Sequence, residues 1–282
     1  MPYAENDGTK IYWEEQGEGD PLLLIMGLGS ASGLWYRLMP ALSERYRAII
    51  FDNRGVGRSD APSGTYPIET MASDAAAVLD AVGLESAHVL GFSMGGFIAQ
   101  EFALENPERV SSLILAGTAC GGKEGVRAAP EVLTALEARG VKTIEEGFWA
   151  MAPYNYDPST PRARIVGDLA ISLRTSLKRE CYMAQLLGIV SWVGSHSRLG
   201  GIKMPALVIH GENDQLIPPE NGRTLARLIP NARLVMLPRA GHKFMTDQPE
   251  AAVEAILSFL DDVGAHKGRR GGVSQVTGLR HL

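Results

Sequence analysis

The chain has 282 residues, of which 45% are apolar and 21% charged, so it can bury a large core and has the composition of an ordinary globular protein. No uninterrupted apolar run approaches the roughly 18 to 20 residues that a membrane-spanning helix needs, which argues against a membrane protein. The formal net charge of −5 provides no basic surface for nucleic acid, so neither a membrane nor a nucleic-acid partner is expected.

The amino terminus and the cysteines bear on location and on metal binding. Residues 1–10 carry acidic and polar side chains where a secretory signal would have a basic segment followed by an apolar one, so we expect no export signal. Cys120 and Cys181 are far apart and lie in no C-x-x-C or Cys/His zinc spacing, so neither a disulfide framework nor a metal site is expected. These features favour a cytoplasmic protein.

The first predicted element is a hairpin, in which residues 3–5 and 10–15 flank the turn sequence Asn6-Asp7-Gly8. Short apolar runs typical of buried parallel strands follow at residues 22–26, 47–51, 87–90, 112–115, 206–209 and 233–237. Segments with helical spacing lie between them, notably residues 68–82, 97–104 and 251–260. The alternation predicts an α/β fold with an antiparallel amino-terminal edge.

The alternation of strands and helices is interrupted in the middle of the chain. Helix-like stretches over residues 130–139, 143–151 and 170–193 follow one another without a convincing strand. We therefore predict a core made of residues 1–120 and 200–263, with residues 121–199 inserted as a helical cap. Residues 264–282 are basic, rich in glycine and without periodicity, which predicts a disordered tail; contact of that tail with an acidic partner or with nucleic acid is the alternative.

The strongest chemical motif is Gly91-Phe92-Ser93-Met94-Gly95, which lies between a predicted strand and a predicted helix. A G-x-S-x-G sequence in this setting is typical of a nucleophile elbow, in which the glycines leave room for a sharp turn that exposes the serine. The amino terminus of the following helix would add a partly positive field near an oxyanion. Ser93 is therefore the candidate nucleophile.

This motif and four others resemble those of the α/β-hydrolase superfamily. The others are residues 24–29, 51–60, 211–214 and 240–242, and the resemblance runs from about residue 8 to residue 262. Within the superfamily, the chain is most similar to the branch of small esterases and lactonases that includes 3-oxoadipate enol-lactonase and aclacinomycin methylesterase. The resemblance implies a mostly parallel eight-stranded sheet with an antiparallel amino-terminal edge, helices on both faces and a helical cap.

A serine hydroxyl needs a nearby base, and that base needs an acid to orient it. Among six histidines, His242 follows the last predicted strand and fits the chain order Ser, acid, His of the superfamily, whereas His210 precedes the candidate acid. The other histidines are predicted to be structural or solvated: His88, His196, His266 and His281.

Asp214, in the loop after the strand predicted at residues 206–209, is the candidate acid. Glu212 is its nearest rival. Some relatives place the acid after the preceding strand, but residues 116–122 contain no carboxylate here. The catalytic prediction is therefore Ser93, Asp214 and His242.

The resemblance also implies an oxyanion hole formed by two backbone N–H groups, those of Leu28 and Met94. Many relatives have His-Gly where this chain has Met26-Gly27, which removes a side chain that could support the loop.

Together these residues predict a cofactor-independent serine hydrolase that cleaves a small-molecule carboxylic ester or lactone through an acyl-enzyme. Dehalogenase and epoxide hydrolase chemistry is disfavoured, because those relatives use a carboxylate at the position of Ser93. Carbon–carbon bond hydrolysis and perhydrolysis on the same triad stay open, as does a ligand-sensing receptor-like role. The oligomeric state is not predicted.

The predicted cap is rich in aromatic and aliphatic side chains, and four of them are the candidate substrate contacts: Trp149, Tyr154, Leu187 and Trp192. A roof of such residues favours uncharged substrates, since an unpaired buried carboxylate is costly. The exception would be inward folding of one of four cations, namely Arg162, Arg164, Arg174 and Lys178.

Overall fold

The computed structural model describes residues 2–140 and 142–271, and their side chains up to residue 265. Its strands are β1 (Tyr3–Asn6), β2 (Thr9–Gln16), β3 (Asp20–Ile25), β4 (Tyr46–Phe51), β5 (Ala87–Phe92), β6 (Val110–Ala116), β7 (Ala206–Gly211) and β8 (Ala232–Leu237). They form one sheet of eight strands in the order β1-β2-β4-β3-β5-β6-β7-β8. The β1–β2 and β2–β4 pairs are antiparallel and the others parallel. The predicted mostly parallel sheet with an antiparallel amino-terminal edge is confirmed.

The first hairpin follows from its turn residues. Asp7 and Gly8 both have positive φ, 48° and 72°, as a two-residue type I′ turn requires. The register pairs Asn6 with Thr9 across this turn.

The central strands are apolar throughout because helices cover both faces of the sheet. Along β3, Leu23 and Ile25 pack on one side and Leu22 and Leu24 on the other, in two separate buried clusters. The helices are α1 (Met39–Ser43), α2 (Ile68–Val82), α3 (Met94–Glu105), α4 (Pro130–Arg139), α5 (Ile144–Asn155), α6 (Arg162–Ser172), α7 (Arg179–Ser191), α8 (Glu220–Leu228), α9 (Phe244–Asp247) and α10 (Pro249–Gly271).

Helices α4 to α7 follow one another between β6 and β7, and the described part of this segment holds no strand beyond an isolated bridge from Leu177 to Val56. The single helix predicted over residues 170–193 is divided into α6 and α7. The break has a tertiary cause, because the Gly57 N–H donates to the Ser176 carbonyl at 2.8 Å and so engages the intervening residues with the loop after β4.

The carboxyl-terminal helix differs from its prediction. Helix α10 reaches Gly271 and therefore continues past Val263, the last buried residue among those whose side chains are described, into the segment predicted to be disordered. Residues 272–282, the rest of that predicted tail, lie outside the described residues. No helix among the described residues is long and apolar enough to cross a membrane.

Candidate active site

Ser93 occupies a strained turn between β5 and α3. Its φ of 57° and ψ of −121° are unusual for a residue with a side chain, and such conformations cost on the order of 1–3 kcal/mol. A side chain at Gly91 or Gly95 would collide with neighbouring backbone, so the glycines on either side are needed for the turn. The Ser93 N–H donates to the Ala116 carbonyl at 2.9 Å and the Thr118 hydroxyl donates to the Ser93 carbonyl at 2.8 Å, which holds the turn in place.

The structure brings Ser93, His242 and Asp214 together at the carboxyl ends of three strands. Ser93 follows β5, Asp214 follows β7 and His242 follows β8. The Ser93 Oγ lies 3.1 Å from His242 Nε2, and His242 Nδ1 lies 2.8 Å from Asp214 Oδ2. These contacts are the ones that a serine nucleophile, a base and an orienting acid require.

Asp214 is a buried carboxylate that accepts hydrogen bonds from three donors and lies next to a second imidazole. Oδ1 accepts hydrogen bonds from the N–H groups of Leu216 at 2.9 Å and Ile217 at 2.8 Å. Oδ2 faces His242 and, at 3.3 Å, His210. Burial acts to raise the pKa of Asp214, but the two imidazoles outweigh it and lower the pKa to about 2. Asp214 is therefore ionised at neutral pH, as an orienting acid must be.

The rival residues occupy other places. His210 lies behind Asp214, on the side away from Ser93, with its Nε2 donating to the Ile217 carbonyl at 2.8 Å. Glu212 is exposed and only its backbone contacts the neighbouring strand, through an N–H donated to the Leu237 carbonyl at 3.0 Å. Neither reaches the serine.

The backbone N–H groups of Leu28 and Met94 form no hydrogen bond with other described residues, so they can serve as oxyanion donors. Gly27 lies against Ser93, and even a methyl group there would come within 3.0 Å of the serine Cβ. The loop is supported by residues that the sequence did not indicate. Gln185 on α7 accepts from the Gly29 N–H at 2.8 Å, and Asn53 donates to the Met26 carbonyl at 2.8 Å.

A cavity of about 900 Å³ opens over Ser93 and His242. Of the four predicted substrate contacts, Trp192 lines it, with its ring 4.9 Å from that of Phe97. Trp149, Tyr154 and Leu187 do not line it. Most of the wall is apolar and comes from the loops after β3 and β6 and from α3, α4 and α7, including Leu28, Phe97, Leu136, Leu186, Ile189 and Val190.

The three residues that do not line the cavity have other environments, and Tyr154 among them is half-buried near the end of α5. Trp149 stands edge-on to Phe148 and under the Arg162 guanidinium, 4.7 Å away, while Leu187 is 49% exposed. On α7 the lining positions are 186, 189, 190 and 191. The first three share one face of the helix, Ser191 is its last residue, and Leu187 lies on the next face. The spacing in the sequence identifies these two faces but not which one meets the cavity.

Four cations that the sequence analysis did not select line the cavity: Lys123 and Arg127, which are exposed, and Lys243 and Arg139, which are partly buried. Lys243 directly follows His242, and its proximity in sequence was the available signal. Burial lowers the pKa of Lys243 to about 8. None of the four cations considered from the sequence, Arg162, Arg164, Arg174 and Lys178, lines the cavity.

No cluster of His, Cys, Asp and Glu among the described residues could hold a metal ion.

Comparison with known proteins adds a family context to this geometry. A family model described as the alpha/beta hydrolase fold matches residues 20–181 and 182–249. A protein of Azorhizobium caulinodans, provisionally named as a carbamate hydrolase, is 31% identical over 285 residues that cover 93% of this chain and 99% of that protein.

Two solved structures extend the comparison. A thermophilic esterase from Thermogutta terrifontis superposes with a TM-score of 0.80 at 28% identity, over 93% of this chain and 97% of the other. The enol-lactonase from Burkholderia xenovorans LB400 gives a TM-score of 0.82 at 28% identity, over 92% and 100% of the two chains. The relatives thus share one scaffold while their names refer to different bonds.

Proposed function

Because the chain belongs to the α/β-hydrolase fold family, we propose that it is a cofactor-independent serine hydrolase that cleaves a carboxylic ester or lactone through an acyl-enzyme. The observation that carries the proposal is the continuous chain of contacts from Ser93 Oγ to His242 and from His242 to Asp214, at 3.1 and 2.8 Å.

In the proposed mechanism, Ser93 Oγ attacks the substrate carbonyl carbon while His242 Nε2 accepts the hydroxyl proton. The Leu28 and Met94 N–H groups hydrogen bond to the oxyanion of the tetrahedral intermediate. His242 then gives its proton to the departing alkoxide, and the acyl group stays on Ser93. A water molecule, deprotonated by His242, attacks the acyl-enzyme and releases the acid, so one water is consumed for each ester bond cleaved.

Asp214 contributes by stabilising the imidazolium that forms in both steps. Its pKa of about 2 keeps it charged across the working pH range, and its contact with Nδ1 leaves Nε2 free to accept the serine proton. The proposed substrate is a small molecule in the cavity roofed by residues 121–199, which we propose as a cap. The proposed location is the cytoplasm, where thiols such as the buried free Cys120 and Cys181 stay reduced.

The test is labelling with a fluorophosphonate, which reacts quickly only with an activated hydroxyl. Wild-type protein should be labelled at Ser93, and Ser93→Ala should remain folded, lose the label and lose turnover by about 10⁴-fold to 10⁶-fold. Ser191, which lies near the rim of the same cavity, gives the matched control as Ser191→Ala. Labelling at another serine, or a folded Ser93→Ala protein with near-normal esterase activity, would refute the proposal.

A panel of esters, lactones, carbamates and diketones then separates the bond types that the same triad could cleave. Steady turnover of simple esters or lactones supports the proposal. Turnover confined to carbamates or diketones would replace it with another hydrolase reaction, and slow single turnover with ligand-dependent loss of thermal stability would indicate a ligand-sensing protein.

A further inference from the structure

Charged residues line the cavity at two depths. Those at the mouth include both signs, such as Lys123 and Glu124, which are 3.9 Å apart and exposed. Apart from the histidines His242 and His196, the ionisable lining residues that are partly shielded from solvent are Lys243 and Arg139. Every carboxylate among the described lining residues is exposed, so the inner wall carries net positive charge.

Lys243 lies beside the catalytic imidazole. Its side chain is enclosed by protein and reaches the surface only in part, where it lines the cavity. Its backbone N–H donates to the Asn155 carbonyl at 2.7 Å, which anchors the residue at the end of α5. The ammonium nitrogen is 5.1 Å from the centre of the Phe92 ring, and that ring centre is 4.9 Å from the centre of the His242 ring.

The Lys243 ammonium forms neither an ion pair nor a hydrogen bond with any described residue. The carboxylate that acts on it electrostatically, Asp168, is already engaged by other donors. These donors are Tyr36 and Arg37 on one oxygen, at 2.7 and 3.2 Å, and Tyr156 and Thr246 on the other, at 3.0 and 2.6 Å. An enclosed ammonium has lost much of its hydration, so an anion brought by a ligand would stabilise it.

Arg139 adds a second cation to the inner wall. Its guanidinium lies 5.4 Å from the centre of the Tyr182 ring, and its contact with the Gly29 carbonyl, at 3.5 Å, is at the limit of a hydrogen bond. No described carboxylate pairs with it. Arg139 is close enough to Lys243 to lower the pKa of the ammonium, so an anion between or beside them would relieve their repulsion.

We propose that the substrate is an ester or lactone that itself bears a carboxylate, and that this carboxylate binds Lys243 with support from Arg139. The inference rests on the proposed serine hydrolase function and names its substrate class. A substrate with a single carboxylate matches the inner wall, where the Lys243 ammonium and the Arg139 guanidinium lie in an otherwise largely apolar lining. The anionic substrate proposed here replaces the uncharged substrate expected from the composition of the cap. That expectation considered four cations of the insertion, whereas the main cation of the inner wall is Lys243, which lies outside the insertion.

The position of Lys243 couples recognition to the chemical step. His242 becomes positively charged when it accepts the serine proton, and a neighbouring ammonium disfavours that charge. A substrate carboxylate on Lys243 offsets this repulsion. The interaction should therefore raise kcat as well as lower KM.

The test compares monomethyl and dimethyl esters of straight-chain dicarboxylic acids with four to eight carbons, which differ in one charge. Wild-type protein should prefer the monoanionic ester at one chain length by at least about tenfold in kcat/KM. Lys243→Met, which keeps the side-chain length and removes the charge, should reduce that preference by a similar factor. Lys123→Met makes the same charge change at the exposed mouth and should retain the preference.

A binding measurement separates this inference from the proposed function. On the Ser93→Ala background, calorimetry should show tighter binding of the monoanionic ester than of the dimethyl ester, and Lys243→Met should remove the difference. If both esters are hydrolysed but the neutral one is preferred, or Lys243→Met leaves the ratio unchanged, the carboxylate site is refuted and the hydrolase function stands. If wild-type protein hydrolyses no ester, the proposed function fails, and equal binding of the two esters would refute the carboxylate site as well.

Discussion

The sheet edge and the helical insertion contribute to the site in different ways. The proposed nucleophile, acid and base all follow parallel strands, whose carboxyl ends must meet at one edge of the sheet, and Ser93 is further held by the backbone of the turn. The wall contributed by the insertion depends on which face each helix presents and on where α6 gives way to α7. Backbone geometry therefore places the candidate catalytic residues, whereas side-chain packing determines which residues line the cavity.

The largest effect should separate the two histidines that contact Asp214. His242→Ala should lower kcat by about as much as loss of the nucleophile, on the order of 10⁴-fold or more, because no other base among the described side chains reaches Ser93. His210→Ala should lower the free energy of unfolding by roughly 1–3 kcal/mol and reduce kcat less than tenfold, since it removes a buried contact behind the acid. Kinetics and denaturant unfolding of both variants check this, and the reverse ranking would overturn the assignment of the base.

The next effect concerns the acid. Asp214→Asn should reduce kcat by about 10⁴-fold, because an amide cannot hold the imidazole in the tautomer that accepts the serine proton. Glu212→Gln makes the same chemical change two residues away on an exposed side chain and should have little effect. Equal small losses in the two variants would mean that the acid lies elsewhere on the sheet edge.

A smaller effect should appear in the pH dependence of substrate choice. Lys243 is protonated below its pKa of about 8 and neutral above it, so preference for the monoanionic ester should be fully present near pH 7 and decline as pH rises through about 8. Burial lowers the pKa of Lys243, the nearby Asp168 carboxylate raises it, and the Arg139 guanidinium lowers it. The ratio of kcat/KM for the two esters cancels any pH dependence that the two reactions share, and a ratio constant from pH 7 to pH 10 would contradict the role of Lys243.

The smallest effect tests which face of α7 meets the substrate. Leu186→Ala, on the lining face, should shift preference among acyl chain lengths by up to about tenfold, since a few methylene groups in an apolar pocket are worth about 1–3 kcal/mol. Leu187→Ala, on the exposed face, should leave that preference unchanged. A larger change in chain-length preference for Leu187→Ala than for Leu186→Ala would support the substrate contact at Leu187 that the sequence predicts.

What the sequence determined by itself is the part governed by local rules. The hairpin follows from Asp7-Gly8, the parallel sheet from apolar runs alternating with helices, and the turn at Ser93 from glycines that leave room for a positive φ. Parallel strands then bring the candidates to one edge, and the chain order implied by the superfamily resemblance selects Ser93, Asp214 and His242 among them.

Only the tertiary structure decided which residues meet the substrate. Helical spacing shows that Leu186 and Ile189 share a face, but the packing of α7 on the sheet decides that this face, and not that of Leu187, lines the cavity. The support of the oxyanion loop by Gln185 joins residues far apart in the chain, and no local pattern encodes such a contact. The enclosure of Lys243 likewise arises from elements packed around it, because burial and charge pairing are properties of neighbours in space.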